Sequence, residues 1–280
     1  METIGEIRIR RHGTEGPLVI VLHGGPGAPG SAEGLAAGLS DMFIVIEPWQ
    51  RGSGGREPLT VARHVADLHE IVLNVCEDQF PALVGESWGA MLALAYVAEH
   101  PQESGPIVLV GCGTFDKKSR EVEVKIREER IAKHIAKHPE FADDLNLESN
   151  ERIMKWHEIT DTYRLNPSSP QTDGIAFDEK GHVQTWNDML RCQENGLYPA
   201  AFSHIVSPVL MLHGAYDPHP GKMIRDSLTT HIPQLEYREF ERCGHQPSVE
   251  MFAREEFFST MRNWLALKCV QEGCRTRECT

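Results

Sequence analysis

The runs LVIVLH (18–23), FIVIE (43–47), ALVGE (82–86), IVLVG (107–111) and VLMLH (209–213) are apolar without alternation. A strand with one wet face alternates polar and apolar residues, whereas a strand covered on both faces does not. These runs therefore predict an α/β chain built on a mostly parallel central sheet flanked by helices. EIRIR (6–10) and LEYREF (235–240) complete the set of strand candidates. Helical patterns lie near 31–39, 60–75, 88–99, 219–230 and 248–267, which gives the βαβ alternation such a sheet needs. WGAMLALAYVAEH (88–100) is apolar nearly all round and is expected to be the buried central helix.

The alternation breaks after residue 113. DKKSREVEVKIREERIAKHIAKH (116–138) is charge-dense, with Val124, Ile131 and Ile135 spaced for one helical face. Pro167 and Pro170 punctuate a loop, and GHVQTWNDMLRCQENG (181–196) is again helical in pattern. The sheet pattern resumes at SPVLMLHG (207–214). The expected organisation is a core over 1–113 and 201–268, a helical lid over 114–200 and a C-terminal tail over 269–280. No internal repeat is visible.

Charge excludes several partners. A net charge of -13, from 28 basic and 41 acidic residues, argues against nucleic acid or an anionic membrane surface. No run approaches the roughly 20 apolar residues of a membrane span, and METIGEIRIRRHG carries charges where a secretory segment needs an apolar core. Seven cysteines (76, 112, 192, 243, 269, 274, 279) without an export signal predict reduced thiols in a cytoplasm. Cys269, Cys274 and Cys279 recur every five residues, which matches no zinc spacing, so no metal is expected there.

VGESWGAML (84–92) places Ser87 between a strand and the apolar helix. Serine there is either an ordinary helix N-cap or a nucleophile on a sharp turn. Flanking Gly85 and Gly89 remove side chains that a strained strand-to-helix turn would not accommodate. A serine nucleophile needs a base, and the base needs an orienting acid. HGAYDPHP (213–220) puts Asp217 just past one strand, and ERCGHQPSVE (241–250) puts His245 just past the next. The order Ser87, Asp217, His245 is that of the α/β-hydrolase arrangement. HGGPGAPG (23–30) follows the strand LVIVL, and the amides of Gly25 and Trp88 are the expected oxyanion donors. A competing reading takes Gly25, Gly27 and Gly30 as a dinucleotide loop with Glu47 as its ribose acid, but it leaves Ser87, Asp217 and His245 without a role.

HGGPG, QRGSG, GESWGAMLALAYVAEHP, HGAYD and CGHQP together resemble the α/β-hydrolase superfamily, and within it the prolyl-iminopeptidase-like branch. The resemblance covers roughly 1–113 and 201–268. It implies the α/β-hydrolase fold with a helical lid insertion, a catalytic triad at Ser87, Asp217 and His245, and an oxyanion hole at Gly25 and Trp88. Trp49 stands where the family typically has aspartate, and Glu86 where iminopeptidases usually carry glycine. A short N-terminus leaves open whether the first strand of the usual antiparallel hairpin is present. Iminopeptidases hold the substrate amino group with lid glutamates, and no glutamate in 114–200 matches them.

The expected activity is cleavage of a small ester, amide or N-terminal peptide substrate through an acyl-enzyme, with no cofactor. Alternatives are a prolyl iminopeptidase proper, or a ligand receptor on the same fold with little turnover. Arg51 either braces the oxyanion loop or pairs with carboxylates. His134 and His138, four apart on one helix, are expected on a solvated face. Cys243 is expected to be a packed thiol. Trp156, Trp186 and Tyr198 either wall a substrate pocket or pack the lid. The oligomeric state is left open.

Overall fold

The computed structural model describes residues 2–76, 80–140 and 176–271. Its strands are β1 (Glu2–Ile4), β2 (Ile7–His12), β3 (Leu18–Leu22), β4 (Ile44–Trp49), β5 (Ala82–Glu86), β6 (Ile107–Val110), β7 (Val209–Gly214) and β8 (Leu235–Phe240). The described helices are α1 (Glu33–Ala37), α2 (Val61–Val75), α3 (Trp88–Glu99), α4 (Lys117–Lys137), α5 (Glu179–Glu194), α6 (Gly221–Thr229) and α7 (Arg254–Gln271). All eight strands form one sheet in the order β1-β2-β4-β3-β5-β6-β7-β8. The pairs β1–β2 and β2–β4 are antiparallel, and every later pair is parallel.

Apolar residues without alternation make sense once the two faces are separated. Ile20, Leu22, Leu83, Ile107, Leu109, Val209 and Met211 face α2 and α3 on one side. Val19, Val21, Val84, Val108, Val110, Leu210 and Leu212 pack with residues of α1 and α7 on the other. The 12-residue α3 is buried along almost its whole length, from Trp88 to Ala98. A helix sealed this way has no room to shift, so its N-terminus is a fixed point for chemistry.

The N-terminal hairpin, left open by the sequence, is present. Ile4 pairs with Ile7 around Gly5 and Glu6, and Gly5 takes φ +54. Positive φ at the first of two turn residues is the type II′ requirement that glycine meets. Another difference lies near the C-terminus. Residues Pro247–Val249 form a short 3-10 turn, and the helix expected from 248 begins only at Arg254. It then extends through Gln271, so Cys269 is helical. Cys274 and Cys279 lie outside the described residues.

Between β6 and β7 the described chain holds α4 and α5. Asp116 caps α4 by accepting from the Ser119 amide at 2.8 Å, and Asp178 caps α5 by accepting from the Gly181 amide at 3.0 Å. Val124 on α4 is 52% exposed, so the apolar face expected there is only partly covered. Trp156, Pro167 and Pro170 lie outside the described residues. No described helix is long and apolar enough to cross a membrane.

Candidate active site

Ser87, Asp217, His245 and the HGGPG loop all follow the carboxyl ends of parallel strands, on the side where open α/β sheets bind ligands. Ser87 follows β5 with φ 53 and ψ -114, outside the regions that L-residues ordinarily occupy. The two glycines explain how this turn exists. A Cβ at Gly85 would come 2.2 Å from the Gly89 carbonyl oxygen, and one at Gly89 would come 2.2 Å from that of Leu22. Ser87 occupies the N-cap position of α3 yet makes no side-chain capping bond. Its hydroxyl is therefore not consumed by the helix. The Trp88 amide opens the first turn, where N–H groups have no intrahelical acceptor.

Asp217 is fully enclosed, and three imidazoles surround it. His245 Nδ1 donates to Oδ2 at 2.8 Å. His219 donates to Oδ1 from its backbone amide at 2.9 Å and from its Nδ1 at 2.8 Å. His213 Nε2 lies 3.2 Å from Oδ2. Burial alone would raise this carboxyl, but the charges of His245, His219 and His213 and the His219 hydrogen bond outweigh it and hold it well below the usual range. With Nδ1–H fixed on a carboxylate, Nε2 of His245 is left as the basic nitrogen. The His219 ring also stacks on His245 with centroids 4.6 Å apart and planes at 26°.

Backbone contacts bring the three positions together. The Ser87 amide donates to the Val110 carbonyl at 2.8 Å. The next residue, Gly111, has φ +53, and a Cβ there would lie 3.2 Å from His245 Nδ1. Asp217 and His245 thus meet directly, and β6 carries the contact on towards Ser87. The Tyr216 amide bonds to the Cys243 carbonyl at 2.8 Å, which laces the acid loop to the histidine loop. Cys243 itself is a buried thiol packed beneath the sheet.

On the opposite side of Ser87 lies the HGGPG loop. A Cβ at Gly24 would come 3.2 Å from Ser87 Cβ, and Gly25 takes φ +46. Gln50, whose role no local motif marks out in the sequence, holds this loop. Its amide donates to His23 Nε2 at 3.0 Å, and its side-chain nitrogen donates to the His23 carbonyl at 2.9 Å. Its side-chain oxygen accepts from Trp88 Nε1 at 2.7 Å. His23 Nδ1 lies 2.9 Å from the Gly24 carbonyl and is its donor, because Nε2 is already an acceptor. Burial lowers the His23 pKa to about 4, so the ring stays neutral.

Arg51 pairs with carboxylates. It clasps Asp67 with two bonds of 2.8 Å and also contacts Glu6. Glu47, the acid of the dinucleotide reading, is buried and bound to Arg10 at 2.9 and 3.1 Å, with His12 at 3.3 Å. Tyr198 stacks on Phe202 inside the main core, and Trp186 packs against that core. The His134 and His138 rings lie 4.9 Å apart at the end of α4.

Both inserted helices touch the site. Arg130 of α4 donates to the Tyr216 carbonyl at 2.7 Å and covers its ring at 3.7 Å. Glu123 of α4 lies 3.3 Å from His219 Nε2. Ahead of α5, the Asp178 amide donates to the Gly27 carbonyl at 2.8 Å. The Asp178 carboxylate accepts from the Ser53 hydroxyl at 2.7 Å and from its amide. Phe177 sits over the loop, 3.7 Å from where a Cβ on Gly25 would be.

A model of the alpha/beta hydrolase family matches residues 19–260. The chain is 27% identical to a proline iminopeptidase of Lactobacillus helveticus over 283 residues, covering 92% of each chain. Its fold superposes on a crystal structure of proline iminopeptidase from Mycobacterium smegmatis with a TM-score of 0.69, at 18% identity over 96% and 98% of the two chains. A thermophilic esterase from Thermogutta terrifontis gives 0.65, at 21% identity over 92% of each chain.

Proposed function

The chain belongs to the alpha/beta hydrolase family and is a hydrolase, and from that premise we propose that it is a serine hydrolase of small ester, amide or N-terminal peptide substrates. The observation that carries this reading is the 2.8 Å bond from His245 Nδ1 to an ionised, enclosed Asp217, across the strand ends from a strained Ser87. Ser87 Oγ attacks the substrate carbonyl carbon as His245 Nε2 takes its proton. Asp217 fixes the imidazole tautomer and stabilises the imidazolium. The amides of Gly25 and Trp88 receive the oxyanion, a contribution of about 3–4 kcal/mol per donor in comparable sites. Collapse expels the leaving group with the proton from His245, and water activated by the same base releases the acyl group. Residues 114–200 act as the lid, with Phe177 over the acyl site.

A narrower reading, proline iminopeptidase, is supported by the 27% identity along nearly the whole chain. One set of measurements separates the readings. An active-serine fluorophosphonate should label the wild type and not Ser87→Ala, and turnover should fall by about 10^4-fold or more in that variant. Equal labelling of both proteins overturns the nucleophile assignment. Preference for a proline arylamide over p-nitrophenyl butyrate supports the peptidase reading, and the reverse preference supports an esterase. Tight ligand binding by an intact protein that turns over neither substrate would favour a receptor.

A further inference from the structure

The far end of α3 holds a cluster that the hydrolytic site does not use. His69 of α2 and His100, the C-cap of α3, stack with ring centroids 4.0 Å apart and planes within 6°. Both turn Nδ1 towards the carboxylate of Glu103. His69 Nδ1 is 3.2 Å from Oε2, and His100 Nδ1 is 3.9 Å from Oε1. One ligand atom from each residue lies within 4.8 Å of the others.

Two of these atoms pose a problem in ordinary hydrogen bonding. His69 Nδ1 and Glu103 Oε2 are shut off from solvent, and neither has a hydrogen-bond partner although they face each other. Buried polar atoms in folded proteins are nearly always satisfied, and this pair meets at 3.2 Å as an ion pair without hydrogen-bond geometry, which leaves both atoms able to take a shared partner. A tetrahedral divalent ion with bonds of about 2.0–2.1 Å holds its ligand atoms about 3.3 Å apart. The 3.2 Å separation already fits that edge; the 3.9 Å separation does not, and because the two rings stack in parallel, the His100 ring, 19% exposed, has to turn out of the stack to aim Nδ1 at the same ion.

We propose that His69, His100 and Glu103 form a binding site for a divalent metal ion of the zinc class, pinning α2 to the C-terminus of α3. Two imidazoles and one carboxylate suit zinc, cobalt or nickel rather than calcium or magnesium, which prefer all-oxygen shells. Ser87 is at the opposite end of the 12-residue α3, roughly 18 Å away at 1.5 Å per residue. The ion therefore takes no part in the hydrolytic chemistry, and its effect is on stability.

The test is calorimetric titration of the full chain with zinc chloride, repeated on His69→Gln/His100→Gln and on Glu103→Gln. Thermal melts with and without zinc, and the visible spectrum with cobalt, accompany it. Any equivalent held elsewhere, for example by tail cysteines, is common to all three proteins. The wild type should bind one equivalent that the double variant lacks and that Glu103→Gln binds at least 10-fold more weakly. Zinc should raise the melting temperature of the wild type more than that of the double variant, and cobalt should give the wild type a tetrahedral visible band beyond any that the double variant shows. The same stoichiometry and affinity in wild type and double variant, or no binding by the wild type, overturns the site and leaves a plain His69–Glu103 ion pair.

Discussion

Gln50 shows how one side chain can align two halves of a site. Its three bonds join the His23 ring, the His23 carbonyl and the Trp88 indole, so it links both expected oxyanion donors through their own segments. Gln50→Leu keeps the backbone bond to His23 but leaves the Trp88 N–H and the His23 carbonyl without their acceptor and donor. An unsatisfied buried group costs about 1–3 kcal/mol, so urea unfolding should show a loss of that order. Misalignment of the donors should also lower kcat/KM by about 10- to 100-fold, with most of the loss in kcat. Unchanged kcat in a destabilised variant would reduce Gln50 to a purely structural brace. His219 acts at the same scale on the other side. By bonding Asp217 Oδ1 it leaves Oδ2 to His245, and by stacking it limits how that ring can tilt.

At the scale of elements, α5 is tied to the core by its own polar residues. Asp178 caps the helix and grips Ser53 and Gly27, Gln184 accepts from the Leu59 amide at 3.1 Å, and Asp188 accepts from the Val61 amide at 2.8 Å. The last of these supplies an acceptor for the N-terminus of α2 from a residue 127 positions away. Asp178→Ala removes the cap and the Ser53 clasp together. It should cost about 1–2 kcal/mol in chemical denaturation and raise KM several-fold as Phe177 loses its position over Gly25. A KM equal to wild type would show that α5 does not set the acyl site. The burial of strands on both faces is legible in sequence because it removes alternation, and the placing of Ser87, Asp217 and His245 just past strand ends is legible because each follows a strand-like run. Strand β1 escapes because three residues at an exposed sheet edge carry no periodicity. Gln50, Phe177 and His219 escape for a different reason. Each works through a contact made only when separate loops meet, and no local spacing encodes that contact.

For the whole molecule, the balance of buried imidazoles sets how the fold responds to acid. His23 and His64 are both lowered to about 4 by burial. Asp67 pulls His64 upward, while His23, Arg51 and Arg63 add to the downward shift. In the unfolded chain both rings titrate near 6.5. Between about 6.5 and 4 the unfolded chain therefore binds protons that the folded chain refuses, and stability falls as pH drops through that window. Above 6.5 the contribution is complete. Asp217 has the depressed carboxylate sign, so its contribution is lost only at still lower pH, below the usual aspartate range. Glu47 opposes the histidines, since burial raises its carboxyl and the folded state takes up that proton first, though Arg10 limits the shift. Two rings shifted this far are worth several kcal/mol at about 1.4 per unit, a large share of the roughly 5–15 kcal/mol that holds a domain together. The urea midpoint should therefore drop steeply from pH 6.5 to 4.5. His64→Gln should reduce that slope while lowering stability at pH 7.5, because it disturbs the 3.0 Å bond to Thr185 that joins α2 to α5. A midpoint that is flat across the window, or a slope identical in His64→Gln, would mean that these rings accept protons without opening the fold. Because His64 lies where α5 meets α2, hydrogen exchange at Thr185 and Asp188 should accelerate as pH falls through that window, ahead of global unfolding.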